Sequence, residues 1–133
     1  MLKLIKKLFG DKHEKDLKVL WPIVTEINSH YETVKNLTND ELINKTKEFK
    51  EKVQAHTEET RKNISDLKTR LQSDEDFDRN AAYDELDGLE EKLNDEYEEI
   101  LDELLPEAYA VVKSTCQRLV GTSWTVAGNK LNW

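Results

Sequence analysis

Between Leu104 and Leu119 the sequence reads LLPEAYAVVKSTCQRL, the one place where apolar residues crowd together in a heavily charged chain. Such a run constrains the fold because its apolar face needs cover. Pro106 suits the first position of a helix, where a missing N–H costs nothing. Ala108, Val111, Val112, Cys116 and Leu119 then recur at helical spacing until Gly121 closes the end. The spacing predicts a helix over 106–120 with those five side chains on its packing face. The chain around it, 37% hydrophobic and 36% charged with a mean hydropathy of −0.79, supports only a modest core. Four glycines, two prolines and abundant Glu, Lys, Leu and Asp leave little material for a sheet. The expected fold is therefore mainly α: an elongated antiparallel pair of long helices, shorter packing helices, and a small β-hairpin at the carboxyl end.

Upstream, Leu17, Leu20, Val24, Ile27, Tyr31 and Val34 alternate in steps of three and four, a stripe for helix packing over 16–36. Pro22 predicts either a kink or a new start near Trp21, whose expected role is packing. Thr38 to Glu41 form a capping box, with Leu37 and Leu42 placed as its hydrophobic staple, so a helix starts at 39 and runs to about 72. Its apolar stripe lapses between Gln54 and Asn63, which predicts an exposed middle. Ser73 to Asp78 supply a turn. Tyr83, Leu86, Leu89, Leu93, Tyr97, Ile100 and Leu104 then mark a second long helix over 77–104, with Gly88 inside it allowing a close approach or a bend. Two long helices joined by a short turn predict a hairpin. In the tail, Trp124 and Val126 alternate before Ala127 and Gly128, and Leu131 and Trp133 after them, which predicts a β-hairpin over 122–133. Residues 1–10 stand apart as a short basic segment, and 11–133 read as one helical unit.

The net charge of −8 is unevenly spread. The first eighteen residues hold six lysines and three acids, whereas Ser73 to Glu107 hold sixteen acids and two basic residues. A polyanion meets mostly like charge on such a surface, so nucleic acid is excluded as a partner. The single Cys116 excludes an internal disulfide and lacks ligand partners at metal spacing, which points to a reducing, cytoplasmic setting. No run of 18 or so apolar residues is present to span a bilayer, and Met1 to Phe9 is too short for a secretory signal. Leu2, Leu4, Ile5, Leu8 and Phe9 alternate with Lys3, Lys6 and Lys7 as a basic amphipathic helix. That pattern suits an anionic membrane surface, at about 1 kcal/mol per lysine, and equally suits packing on the protein itself.

Three collinear islands carry a resemblance. LFGDK spans Leu8 to Lys12; LTNDEL spans Leu37 to Leu42 and is followed by Lys45, Thr46, Glu48 and Phe49; LLPEAYAVV opens the apolar run. Together they resemble the amino-terminal region of the SecA preprotein translocase ATPases over residues 1–53 and 100–133, with the acidic helical stretch between them looking like an insertion. The resemblance implies a parent protein that binds ATP and magnesium and drives preproteins through a SecYEG-type channel. It also implies that Leu2, Lys3, Ile5, Lys6, Lys7, Leu8 and Phe9 contact lipid or that channel, at the cytoplasmic face of the cell membrane. Ala108, Val111, Val112, Cys116 and Leu119 would pack on the following motor domain.

No G-x-x-x-x-G-K-[ST] loop is present; Gly128, Asn129 and Lys130 lack the upstream glycine and the Ser/Thr of a phosphate site. The expectation is a piece that stops just before its nucleotide domain, with no catalytic, cofactor or metal residues of its own. His13, His30 and His56 fall on different segments, and the many acids between Asp74 and Glu107 read as a solvated face. Two other readings stand beside this one: a freestanding helical module binding or self-associating through the Leu86 to Leu104 stripe, and a peripheral membrane adaptor anchored by the basic start.

Overall fold

The computed structural model describes residues 12–73 and 78–132, with side chains from Lys15 onward. The basic segment Leu2 to Phe9, with its proposed membrane and channel contacts, lies outside the described residues, as does Trp133. Three helices follow one another: α1 (Lys12–Val34), α2 (Asn39–Gln72) and α3 (Arg79–Leu119). A two-stranded antiparallel sheet, β1 (Ser123–Val126) and β2 (Asn129–Asn132), closes the chain. The mainly α architecture with a carboxyl-terminal hairpin is as the composition and spacing predict.

The helix termini follow their capping residues. Thr38 Oγ1 accepts from Glu41 N–H at 3.3 Å, while the Glu41 carboxylate accepts from Thr38 N–H at 2.6 Å and from its hydroxyl at 2.8 Å. This reciprocal box satisfies donors that the first turn of α2 leaves open. Asp78 caps α3 in a similar way, its Oδ1 accepting from the Asn80 and Ala81 amides at 3.1 Å.

Both prolines sit inside helices. Pro22 starts no new element, because α1 continues through it. Pro106 is not the first residue of a separate helix either: the expected break between 104 and 106 is absent, and α3 runs unbroken for 41 residues. A proline costs a helix one hydrogen bond and a local steric clash, about 3 kcal/mol. The strong helix formers on either side of Pro106 and the burial of its ring favour continuity over a break.

The chain divides into two compact units, residues 1–42 with 106–133, and residues 43–105. In the second, α2 and α3 pair antiparallel: Lys68 bonds Glu90 at 2.7 Å, Thr60 bonds Glu96 at 2.8 Å and His56 approaches Glu99 at 3.7 Å, numbers falling along α3 as they rise along α2. Ile64, Leu67, Ala82, Ile100 and Leu104 are buried. The expected exposed middle of α2 is not what forms. Thr57 and Thr60 are fully buried, since a threonine that bonds a carbonyl or a carboxylate satisfies its hydroxyl and leaves its methyl group to pack. Gly88 marks no close approach: a Cβ built there meets nothing within 4 Å.

Candidate docking face

In the first unit the core is small: Val34, Leu42 and Ala110, with Ile27, Tyr31, Leu37 and Val111 packed against it. Leu37 and Leu42 flank the capping box as its staple, so the start of α2 is fixed by polar and apolar contacts at once. Of the six-residue stripe on α1, the second half (Ile27, Tyr31, Val34) reaches this core, while Leu17, Leu20 and Val24 remain exposed. Trp21 is 60% exposed and does not take the packing role expected of it.

The buried face of the last third of α3 differs from the one that hydrophobicity marks. Pro106, Ala110 and Ser114 are the buried positions, each about one helical turn from the next. Of the expected five, Val111 joins the core, Ala108 and Leu119 are half-buried, and Val112 and Cys116 face away from it. Ala110 packs with Val34 of α1 and Leu42 of α2, and further cover comes from polar groups. Lys113 Nζ donates to Asn28 Oδ1 at 2.7 Å and sits 4.3 Å from the Tyr31 ring centroid; the Tyr31 hydroxyl donates to Gln117 Oε1.

Arg118 completes the bracing. Its guanidinium donates to the Lys35 carbonyl at 3.3 Å, to the Leu37 carbonyl and to Asn39 Oδ1 at 2.8 Å. One side chain thus satisfies carbonyls left open after α1 and reaches the first residue of α2. No hydrophobicity pattern singles out Ser114, Gln117 or Arg118. The available signal was their spacing on one side of the helix, with Ala110 as the small residue among them.

The opposite side of the same helix carries Tyr109, Val112 and Cys116, at about 100° per residue a strip facing away from Ala110 and Ser114, and the exposed Val120 follows in the turn after the helix. Val112 is 56% exposed, and Val120 more so. The hairpin that follows adds Trp124, Val126 and Leu131 on one face, Trp124 directly opposite Leu131. Both strands are exposed along their whole length, and a two-stranded ribbon alone is marginal in water. The unit therefore presents apolar surface on a helix and on a ribbon that immediately follows it.

Gly128, Asn129 and Lys130 lie in the turn and second strand of the exposed hairpin, rather than in a loop that opens a helix. Among the described residues, no group of three or more His, Cys, Asp or Glu side chains gathers as a metal site. No helix of those residues is long and apolar enough to cross a membrane.

Comparison with known proteins extends the resemblance to the whole chain. The SecA DEAD-like domain matches residues 5–126. The protein translocase subunit SecA of Chloroherpeton thalassium is 42% identical over 135 aligned residues, which cover all of this chain and 13% of that protein. Those of Salinibacter ruber and Chlorobaculum tepidum are 38% and 39% identical, again over the full chain and 13% of each relative. The alignments include the acidic helical pair that the sequence alone sets apart as an insertion. No solved structure gives a significant match.

Proposed function

The chain belongs to the SecA family of protein translocase subunits, and we propose that it serves such a translocase as an attachment and support region rather than as its motor. The observation that carries this reading is the two-sided helix in residues 106–119. One side is sealed by Ala110, Ser114 and the Arg118 bracing, and the other displays Tyr109, Val112 and Cys116, followed by the exposed Val120 and hairpin. In this reading Val112 and Cys116, flanked by Ala108 and Leu119, pack on the nucleotide-binding domain of an ATP-driven preprotein translocase. Val111 is already engaged within its own unit. ATP and magnesium belong to that domain. Leu2, Lys3, Ile5, Lys6, Lys7, Leu8 and Phe9 supply reversible attachment to an anionic bilayer or a SecYEG-type channel, which sets the protein at the cytoplasmic face of the membrane.

Two measurements test the two halves. A separately purified nucleotide-binding domain from the Chloroherpeton thalassium relative binds this chain in titration calorimetry, and Val112→Glu with Cys116→Glu weakens binding at least tenfold; absence of binding by the unmodified chain removes the support role. Vesicles of anionic phospholipid carry the chain upward in flotation, and replacing Lys3, Lys6 and Lys7 by glutamate releases it. Unchanged flotation would remove the attachment role.

A further inference from the structure

The seam between α2 and α3 in residues 43–105 turns polar at its middle. Thr57 and Thr60 are fully buried; Thr57 donates to the Val53 carbonyl at 3.0 Å and Thr60 to Glu96 Oε1 at 2.8 Å. Glu96 is itself only 19% exposed, with Lys92 Nζ 3.5 Å from the same oxygen. Its other oxygen, Oε2, is buried without a hydrogen-bond partner. Apolar side chains would cover the same seam without desolvating a carboxylate, so this layer costs stability.

What the layer supplies in return is alignment. Along the rest of the seam the apolar positions are alike and spaced by three or four: Ile64, Leu67 and Leu71 on α2, and Leu86, Leu89 and Leu93 on α3. Sliding one helix by seven residues still sets Ile64 against Leu86 and Leu67 against Ala82, so apolar pairing along this part of the seam does not by itself reject the slip, although Leu71 then meets Arg79. The polar layer breaks that degeneracy. After a seven-residue slip Thr60 stands opposite Leu89 and Glu96 opposite Val53, so the carboxylate enters an apolar setting without its hydroxyl partner. We infer that Thr57, Thr60 and Glu96 form a register lock, a buried polar layer that sets the axial alignment of α2 and α3. The Arg79 guanidinium, which donates to the Leu71 and Ser73 carbonyls at 2.8 and 2.9 Å, is a rival device, because it pins the turn itself.

Spin labels distinguish the two. In the full chain carrying Cys116→Ser, labels at Gln72→Cys and Glu103→Cys report axial alignment, since a slip that brings Glu96 against Val53 lengthens their separation by about 10 Å. With the layer intact, pulsed dipolar spectroscopy gives one distance. Thr60→Val with Glu96→Leu adds a second population about 10 Å longer while the melting midpoint rises. A single native distance in that variant, with helicity retained, overturns the lock and leaves register to Arg79 and the turn; a lower melting midpoint overturns the stated cost. Should that variant lose helicity, Thr60→Val alone carries the test. It removes the hydroxyl partner of Glu96, so the longer distance must appear there too, and its absence overturns the inference.

Discussion

Ala127 holds a φ of 48° and Gly128 one of 82°, so both residues of the two-residue loop between Val126 and Asn129 are left-handed. That geometry matches the twist of the flanking strands, but an alanine adopts it at a cost that asparagine largely avoids. Ala127→Asn is expected to stabilise the hairpin by about 1 kcal/mol, seen as increased amide protection across Ser123–Val126. The capping box makes a second prediction at this scale. Hydrogen bonds from the Thr38 amide and hydroxyl hold the Glu41 carboxyl below its ordinary range. The stability it supplies is therefore complete above the unfolded value near 4.5 and is lost as pH falls through the lower folded value. Thr38→Ala should cost about 1 kcal/mol at neutral pH. It should also flatten part of the acid limb of the stability profile measured by urea titration, because the hydroxyl bond is lost while the backbone amide at position 38, the larger cause of the shift, still donates to Glu41.

At the scale of the elements, capping boxes, turn residues and apolar spacing locate the helices well, and the departures occur where polar residues do the packing. Hydrophobicity assigned Val112 and Cys116 to the covered face of α3 and left Thr57 and Thr60 in water, whereas the structure does the reverse in both places. The reason is common to the two sites. A small or hydroxylated side chain whose polar atom finds a partner is buried at little cost, and its small volume draws the neighbouring helix close. Gly88 offers a clean test of element propensity, since it is helical and a Cβ there meets nothing. Gly88→Ala should raise stability by about 1 kcal/mol, read as a higher denaturant midpoint with an unchanged slope. A loss would show that something other than helix propensity governs this position.

For the molecule as a whole, charge is the governing fact. Sixteen acids between Ser73 and Glu107 repel one another, and added salt screens that repulsion, so the melting midpoint should climb with ionic strength; a fall would mean that ion pairs such as Lys68 with Glu90 outweigh it. The chain spans 13% of the length of the relatives it matches along its full extent, and under the function proposed above its exposed apolar strip is the surface that packs on a nucleotide-binding domain. The residue order was sufficient to establish the helical class, the start of α2, the carboxyl-terminal hairpin and, through three short islands, the family. These rest on local spacing and capping, which act over a few residues. Which side of each helix is buried, whether Pro106 ends a helix, and where the polar layer of the α2–α3 seam lies were decided only by tertiary structure. Those outcomes depend on the shape and bonding capacity of side chains distant in sequence, such as Glu96 meeting Thr60 and Arg118 reaching Leu37, and no local pattern records them.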